Sequence, residues 1–270
     1  MKNNLSGKGL IAYFVLAFLI SWLGVTIIAG PKFLAGEVIE YSDLGLMAFA
    51  MLNGPFIAGL LMTYFMDGKK GIKDLFARIR TYKVAGRWYL PNLIFPALLL
   101  VVSLLLGAFV SPELAPKLGF LGLVGGPMAG FFEETGWMGF AYPKMKRKSS
   151  PLSASIFLGV IHGLWHIAAD FLGNYNIFGE YWFPYFIGFC LHVLALRVLI
   201  VWVYTNTDSL LLAVLMHASS TGFFGTLIST TMAPVNWVIY YNVYGVILCL
   251  VALVIAIKFG KNLGDNSPKS

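Results

Sequence analysis

The sequence predicts an all-α polytopic membrane protein: a transmembrane bundle of about eight helices around an intramembrane polar cavity. Three observations carry that expectation. Mean hydropathy is +0.79, and 59% of the 270 residues are hydrophobic against 11% charged, which lies outside the range of water-soluble domains. Apolar runs long enough to cross a hydrocarbon core of roughly 30 Å recur along nearly the whole chain. Ionisable residues nevertheless stand inside several of those runs. The remaining segments are too short for a separate soluble unit, so residues 1–270 read as one integral membrane domain.

The expected spans are residues 10–29, 45–66, 89–110, 118–141, 152–172, 182–204, 210–230 and 236–257. The first follows Lys2 and Lys8, as a signal peptide would. However, Leu10 to Ile28 is longer than a typical h-region and has no small-x-small cleavage site, so it is expected to be retained. After the second span, Asp67 to Arg87 is basic, with Ile72, Leu75, Phe76 and Ile79 at helical spacing, and reads as a connector on the membrane surface. In the fourth span Gly122, Gly126 and Gly130 form a small-residue stripe that lets helices approach closely. Pro127 beside it predicts a kink just before Glu133 and Glu134.

The fifth span opens on Ser149-Ser150-Pro151, an N-cap followed by a first-turn proline, which sets His162 and His166 on one face. The sixth holds His192 and Arg197. The seventh holds His217, with Ser220 and Thr221 one turn later. Their hydroxyls are placed either to assist a developing oxyanion or to bond their own helix backbone. Cys190 and Cys249, the only cysteines, lie in apolar runs. They exclude a disulfide framework and a cysteine-based zinc site.

Charge sets the expected topology, because Lys and Arg accumulate on cytoplasmic loops. With both termini inside, the inside segments hold sixteen of the 19 basic residues, from Lys2 through to Lys269, while Lys32 and Lys117 fall outside. The pI of about 9.3 therefore reflects anionic lipid headgroups, and nucleic acid is not an expected partner. All four histidines fall inside spans, where an ionisable group costs roughly 2.5–3.5 kcal/mol and persists when it is paired or functional. Glu133, His166 and His217 come out at compatible depths, roughly 10–21 Å from the cytoplasmic ends. They are expected to meet in a cavity open to that side.

These residues resemble the CAAX protease and bacteriocin-processing family of intramembrane endopeptidases. The family's Glu-Glu-x-Gly-Trp-Arg-Gly element reads Glu133-Glu134-Thr135-Gly136-Trp137-Met138-Gly139. Its aromatic-x-x-x-His element reads His162-Gly163-Leu164-Trp165-His166, and its His-x-x-x-Asn element reads His217-Ala218-Ser219-Ser220-Thr221. The resemblance covers residues 118–230. Three positions depart from it: Met138 stands for Arg, His162 for an aromatic residue and Thr221 for Asn. An arginine at 138 would neutralise Glu134 one turn away. Arg197, the only other cation at that depth, is the expected substitute.

The resemblance implies hydrolysis of a peptide bond in a membrane-embedded or lipidated protein or peptide, by a multi-pass protein of a bacterial cell membrane. It assigns catalytic roles to Glu133, Glu134, His166, His217 and Thr221. Glu133 would be general base on a water shared with His166, and His217 with Thr221 would stabilise the oxyanion. A zinc ion held by His166, His217 and Glu133 is the other open reading, with a metal-independent water favoured. Two further functions remain open. One is a proteolytically silent relative acting as an immunity or scaffold protein. The other is a proton-coupled transporter.

Overall fold

The computed structural model describes residues 2–229 and 231–265, with the backbone alone at 2–6 and 41. Thr230, the last residue of the expected seventh span, and Lys269 lie outside the described residues. The chain forms α1 (Lys2–Leu34), α2 (Tyr41–Ile79), α3 (Ile94–Phe109), α4 (Leu121–Gly136), α5 (Tyr142–Met145), α6 (Pro151–Phe178), α7 (Trp182–Thr207), α8 (Leu210–Leu227) and α9 (Pro234–Phe259). Apart from the four-residue α5, eight long helices match the eight expected spans. Among the described residues, six helical segments are long and apolar enough to cross a membrane, one of them running through α6 and α7 together. The chain is a multi-pass membrane protein.

Helix α1 shows how an apolar sequence still encodes two faces. Ile11, Val15, Leu19, Leu23 and Ile27, four residues apart, are exposed. Tyr13, Ala17, Ser21, Val25 and Ala29, at the same spacing, are fully buried. Both stripes are largely apolar, but three of the five buried positions, Ala17, Ser21 and Ala29, are small and let neighbouring helices approach. Ser21 Oγ donates to Met51 O at 2.7 Å and accepts from Trp165 Nε1 at 3.0 Å, tying α1 to α2 and α6.

Six helices close a ring through successive contacts, α4–α8–α7–α6–α1–α2 and back to α4, while α3 and α9 pack outside it. The closest packing is α4 on α8, and the glycine stripe creates it. A Cβ on Gly122 would lie 2.0 Å from Gly222 O, one on Gly126 2.5 Å from Gly222 Cα, and one on Gly130 2.4 Å from Val214 O. These are backbone atoms that cannot rotate away. Gly126→Ala is therefore expected to cost about 1–3 kcal/mol and to lower activity by forcing α4 from α8. Gly125→Ala, whose Cβ would meet nothing within 4 Å, is the control. Unfolding curves and rates that do not distinguish the two variants would contradict this.

Helix α4 runs through Pro127, and a buried π-helical turn over Trp137–Ala141 follows the glutamates. The stretch from Asp67 to Ile79 is helical and is set off from the apolar span before it by a kink at Gly68 (φ 66°, ψ −160°), a conformation that favours glycine. Its apolar face turns inward, with Leu75 fully buried. The α6 start follows the sequence: Ser150 Oγ accepts from Ser153 N at 3.2 Å. On the loop before α4, Glu113 accepts from Ala233 N at 3.0 Å and Asn236 Nδ2 at 2.7 Å. These bonds, the backbone one foremost, hold its carboxyl below the usual carboxylate range.

Candidate active site

The ring interior receives Glu133 and Glu134 from α4, His162 and His166 from α6, Arg197 from α7 and His217 from α8. All except the half-buried His166 are buried. The two glutamates, adjacent in sequence, have different surroundings. Arg197 grips Glu134 with both guanidinium nitrogens, Nη1 to Oε2 at 2.7 Å and Nη2 to Oε1. His217 Nδ1 also reaches Glu134 Oε1, at 2.5 Å. Glu133 has no lysine or arginine partner among the described residues. Its neighbours are His162 Nε2, 2.7 Å from Oε2, His217 Nε2, 3.8 Å from Oε1, and Trp137 Nε1, which donates to Oε2 at 3.4 Å.

The expected Arg197–Glu134 pair is therefore present, and it compensates for Met138, which is buried in the π turn. Arg197 does more than a motif arginine would. Its Nε donates to His162 Nδ1 at 3.1 Å, and since Nε–H is only ever a donor, Nδ1 must hold a lone pair. The neutral His162 ring then carries its proton on Nε2, which stands 2.7 Å from Glu133 Oε2 without hydrogen-bonding to it. The substitution of His162 for an aromatic residue adds a proton-bearing neighbour to Glu133. The ring still packs as an aromatic would, 5.5 Å from Trp137 and 5.7 Å from Trp165 between centroids.

His166 lies 5.1 Å from His162, ring to ring, and against Phe189 at 4.9 Å. Thr221 is half-buried one turn beyond His217, with no side-chain hydrogen bond among the described residues. Ser220 turns elsewhere, its Oγ pairing with His192 Nε2 at 2.8 Å in an aromatic cluster between α7, α8 and α9. Neither residue belongs to the site.

Asp170 is an intramembrane acid that sequence reasoning passed over. Two turns beyond His162 on α6, it accepts from Trp182 Nε1 at 2.9 Å and Tyr185 Oη at 3.1 Å, joining α6 to the start of α7. Its position in the run Ala-Ala-Asp-Phe-Leu-Gly, at the very end of the expected span, was the available signal.

Glu133, His162 and His166 can each bring one donor atom within 4.8 Å of the others. As it stands, this trio is not spaced as a ligand set. Tetrahedral zinc with donors at 2.0–2.1 Å holds them about 3.3 Å apart, whereas Glu133 and His162 stand in direct contact at 2.7 Å. A ligating nitrogen also needs a lone pair, and Arg197 fixes a proton on His162 Nε2. His217, the expected third ligand, is not part of the converging trio.

A buried cluster of glutamates and histidines within a ring of membrane helices is the setting expected of the family that the motifs resemble. Comparison with known proteins supports that family. Residues 115–223 match the model of type II CAAX prenyl endopeptidases, Rce1-like. The chain is also 27% identical over 231 residues to the CAAX prenyl protease 2 of Methanococcus maripaludis, covering 76% of this chain and 80% of that protein.

Proposed function

We propose that the protein is an intramembrane endopeptidase acting on a membrane-associated, CAAX-type protein or peptide, with Glu133 activating the attacking water. The observation that carries this reading is the unequal environment of the paired glutamates. Glu134 is neutralised by Arg197 and serves as scaffold. Glu133, flanked only by imidazole and indole nitrogens, is left to accept a proton.

A water between Glu133 and His166 would lose its proton to Glu133 as its oxygen bonds to the substrate carbonyl carbon. The carbonyl electrons move to oxygen, and the developing oxyanion needs donors. His217 Nε2, 3.8 Å from Glu133 Oε1, would supply one donor. The Thr221 hydroxyl, one turn beyond His217 on α8, would be the second donor. Glu133 then returns its proton to the departing amine as the carbonyl reforms and the C–N bond breaks.

The test is cleavage by the purified protein in bilayers of a farnesylated peptide ending in a CAAX sequence, before and after exhaustive chelation. Cleavage that survives chelation is expected. A loss restored by added zinc would replace the free-water mechanism with a metal-bound one, and no cleavage of any membrane peptide would leave the silent-relative reading.

A further inference from the structure

A second polar cavity, of about 430 Å³, lies between the second half of α2 and the segment that follows the π turn. Its ionisable lining comes from Asp67, Lys70, Asp74 and Arg78 of α2, facing Lys144 and Arg147. Both acids are already matched. Lys70 holds Asp74 at 2.7 Å and Lys144 holds Asp67 at 2.9 Å. Neither arginine has a carboxylate in ion-pair range among the described residues. Arg78 is half-buried and uses two N–H groups on neutral acceptors, Tyr204 Oη at 2.5 Å and Gly139 O at 2.7 Å. Three of its five donors remain. Arg147 is exposed at the rim. The cavity therefore holds two guanidinium groups whose charge nothing in its wall offsets.

Its position fits that chemistry. It opens beyond the Gly68 break, where α2 turns from an apolar span to a basic helix carrying Lys69, Lys70, Lys73 and Arg78, at the level where headgroups meet water. We propose that this cavity binds a phosphate group, presented by an anionic lipid headgroup or free in solution. Guanidinium forks match phosphate oxygens two at a time, and basic pockets between membrane helices suit anionic headgroups. This site does not depend on the peptidase reading.

The experiment uses the full chain in lipid nanodiscs and follows thermal unfolding. One arm replaces part of the phosphatidylcholine with phosphatidylglycerol, and the other adds inorganic phosphate to discs of phosphatidylcholine alone. At saturating ligand the midpoint is expected to rise by about 5 °C. Arg147→Gln should remove at least half of the rise, while Lys258→Gln, an exposed lysine outside the cavity at the end of α9, should leave it intact. A rise with phosphatidylglycerol alone identifies a headgroup, and a rise with inorganic phosphate identifies free phosphate. Both support the site. No rise in either arm, or equal losses in Arg147→Gln and Lys258→Gln, overturns it. Arg78→Gln probes the deeper contact, and if it fails to fold the Arg147→Gln comparison decides alone.

Discussion

Replacing Glu133 with Gln is expected to lower cleavage of a membrane-bound peptide by about 10²–10⁴-fold, the usual contribution of a general base, with little change in the unfolding midpoint. The amide keeps the size of the side chain and can still accept from Trp137 Nε1, so packing around it survives. What it loses is the capacity to take a proton from water. The same exchange at Glu134 should read differently. Removing that carboxylate leaves Arg197, fully buried, without its counter-charge, so Glu134→Gln should lower both stability and rate. Initial rates and unfolding curves for both variants in one bilayer make the comparison. If Glu133→Gln retains more than a tenth of the wild-type rate, or if the two variants are indistinguishable, the assignment of general base and scaffold is wrong.

Arg197→Leu is expected to produce the largest loss of stability, about 3–5 kcal/mol, because breaking one side of a buried pair strands the other charge. Glu134 and Arg197 are both fully buried, so solvent does not soften the loss. The double variant Glu134→Gln, Arg197→Leu should recover part of the stability, since neither charge is then left alone. It should recover no activity, because His162 loses the donor that fixes its tautomer and His217 loses the Glu134 carboxylate. A double variant less stable than Arg197→Leu, or an active Arg197→Leu, would show that the pair does not organise the site. Thermal unfolding and peptide cleavage on the four proteins complete the cycle.

The eight long helices were legible because a membrane imposes a length and a hydropathy that few other structures need. Their ends were not. The helix after the Gly68 kink ends at Ile79, short of the Arg87 to which the basic stretch runs. The Arg197–Glu134 pair was legible by elimination, since no other cation falls at that depth. The role of His162 was not. Spacing puts it on the face of His166, but which of the two reaches Glu133 depends on how α6 lies against α4 and on the proton that Arg197 places. The π turn after Glu134 was not read, although Pro143 marks it: proline has no N–H for the Gly139 carbonyl four residues back, and Arg78 takes up that carbonyl instead. Ser220 shows the reverse error: neighbouring residues on α8 diverge, and its hydroxyl goes to His192.

The aromatic side chains at the far end of α6 have a consequence for the whole membrane. Phe178, Trp182, Tyr185, Phe186 and Tyr241 pack as one cluster, with the Trp182 and Phe186 rings stacked 5.2 Å apart. The cluster lies beyond Asp170 on the side away from Pro151. Water-dependent chemistry at mid-depth requires a wet pocket half-way through the bilayer, and a wet pocket open at both ends would short-circuit the ion gradients across it. For the proposed mechanism the rings would stand as an apolar barrier on one side, with the polar interior hydrated from the other.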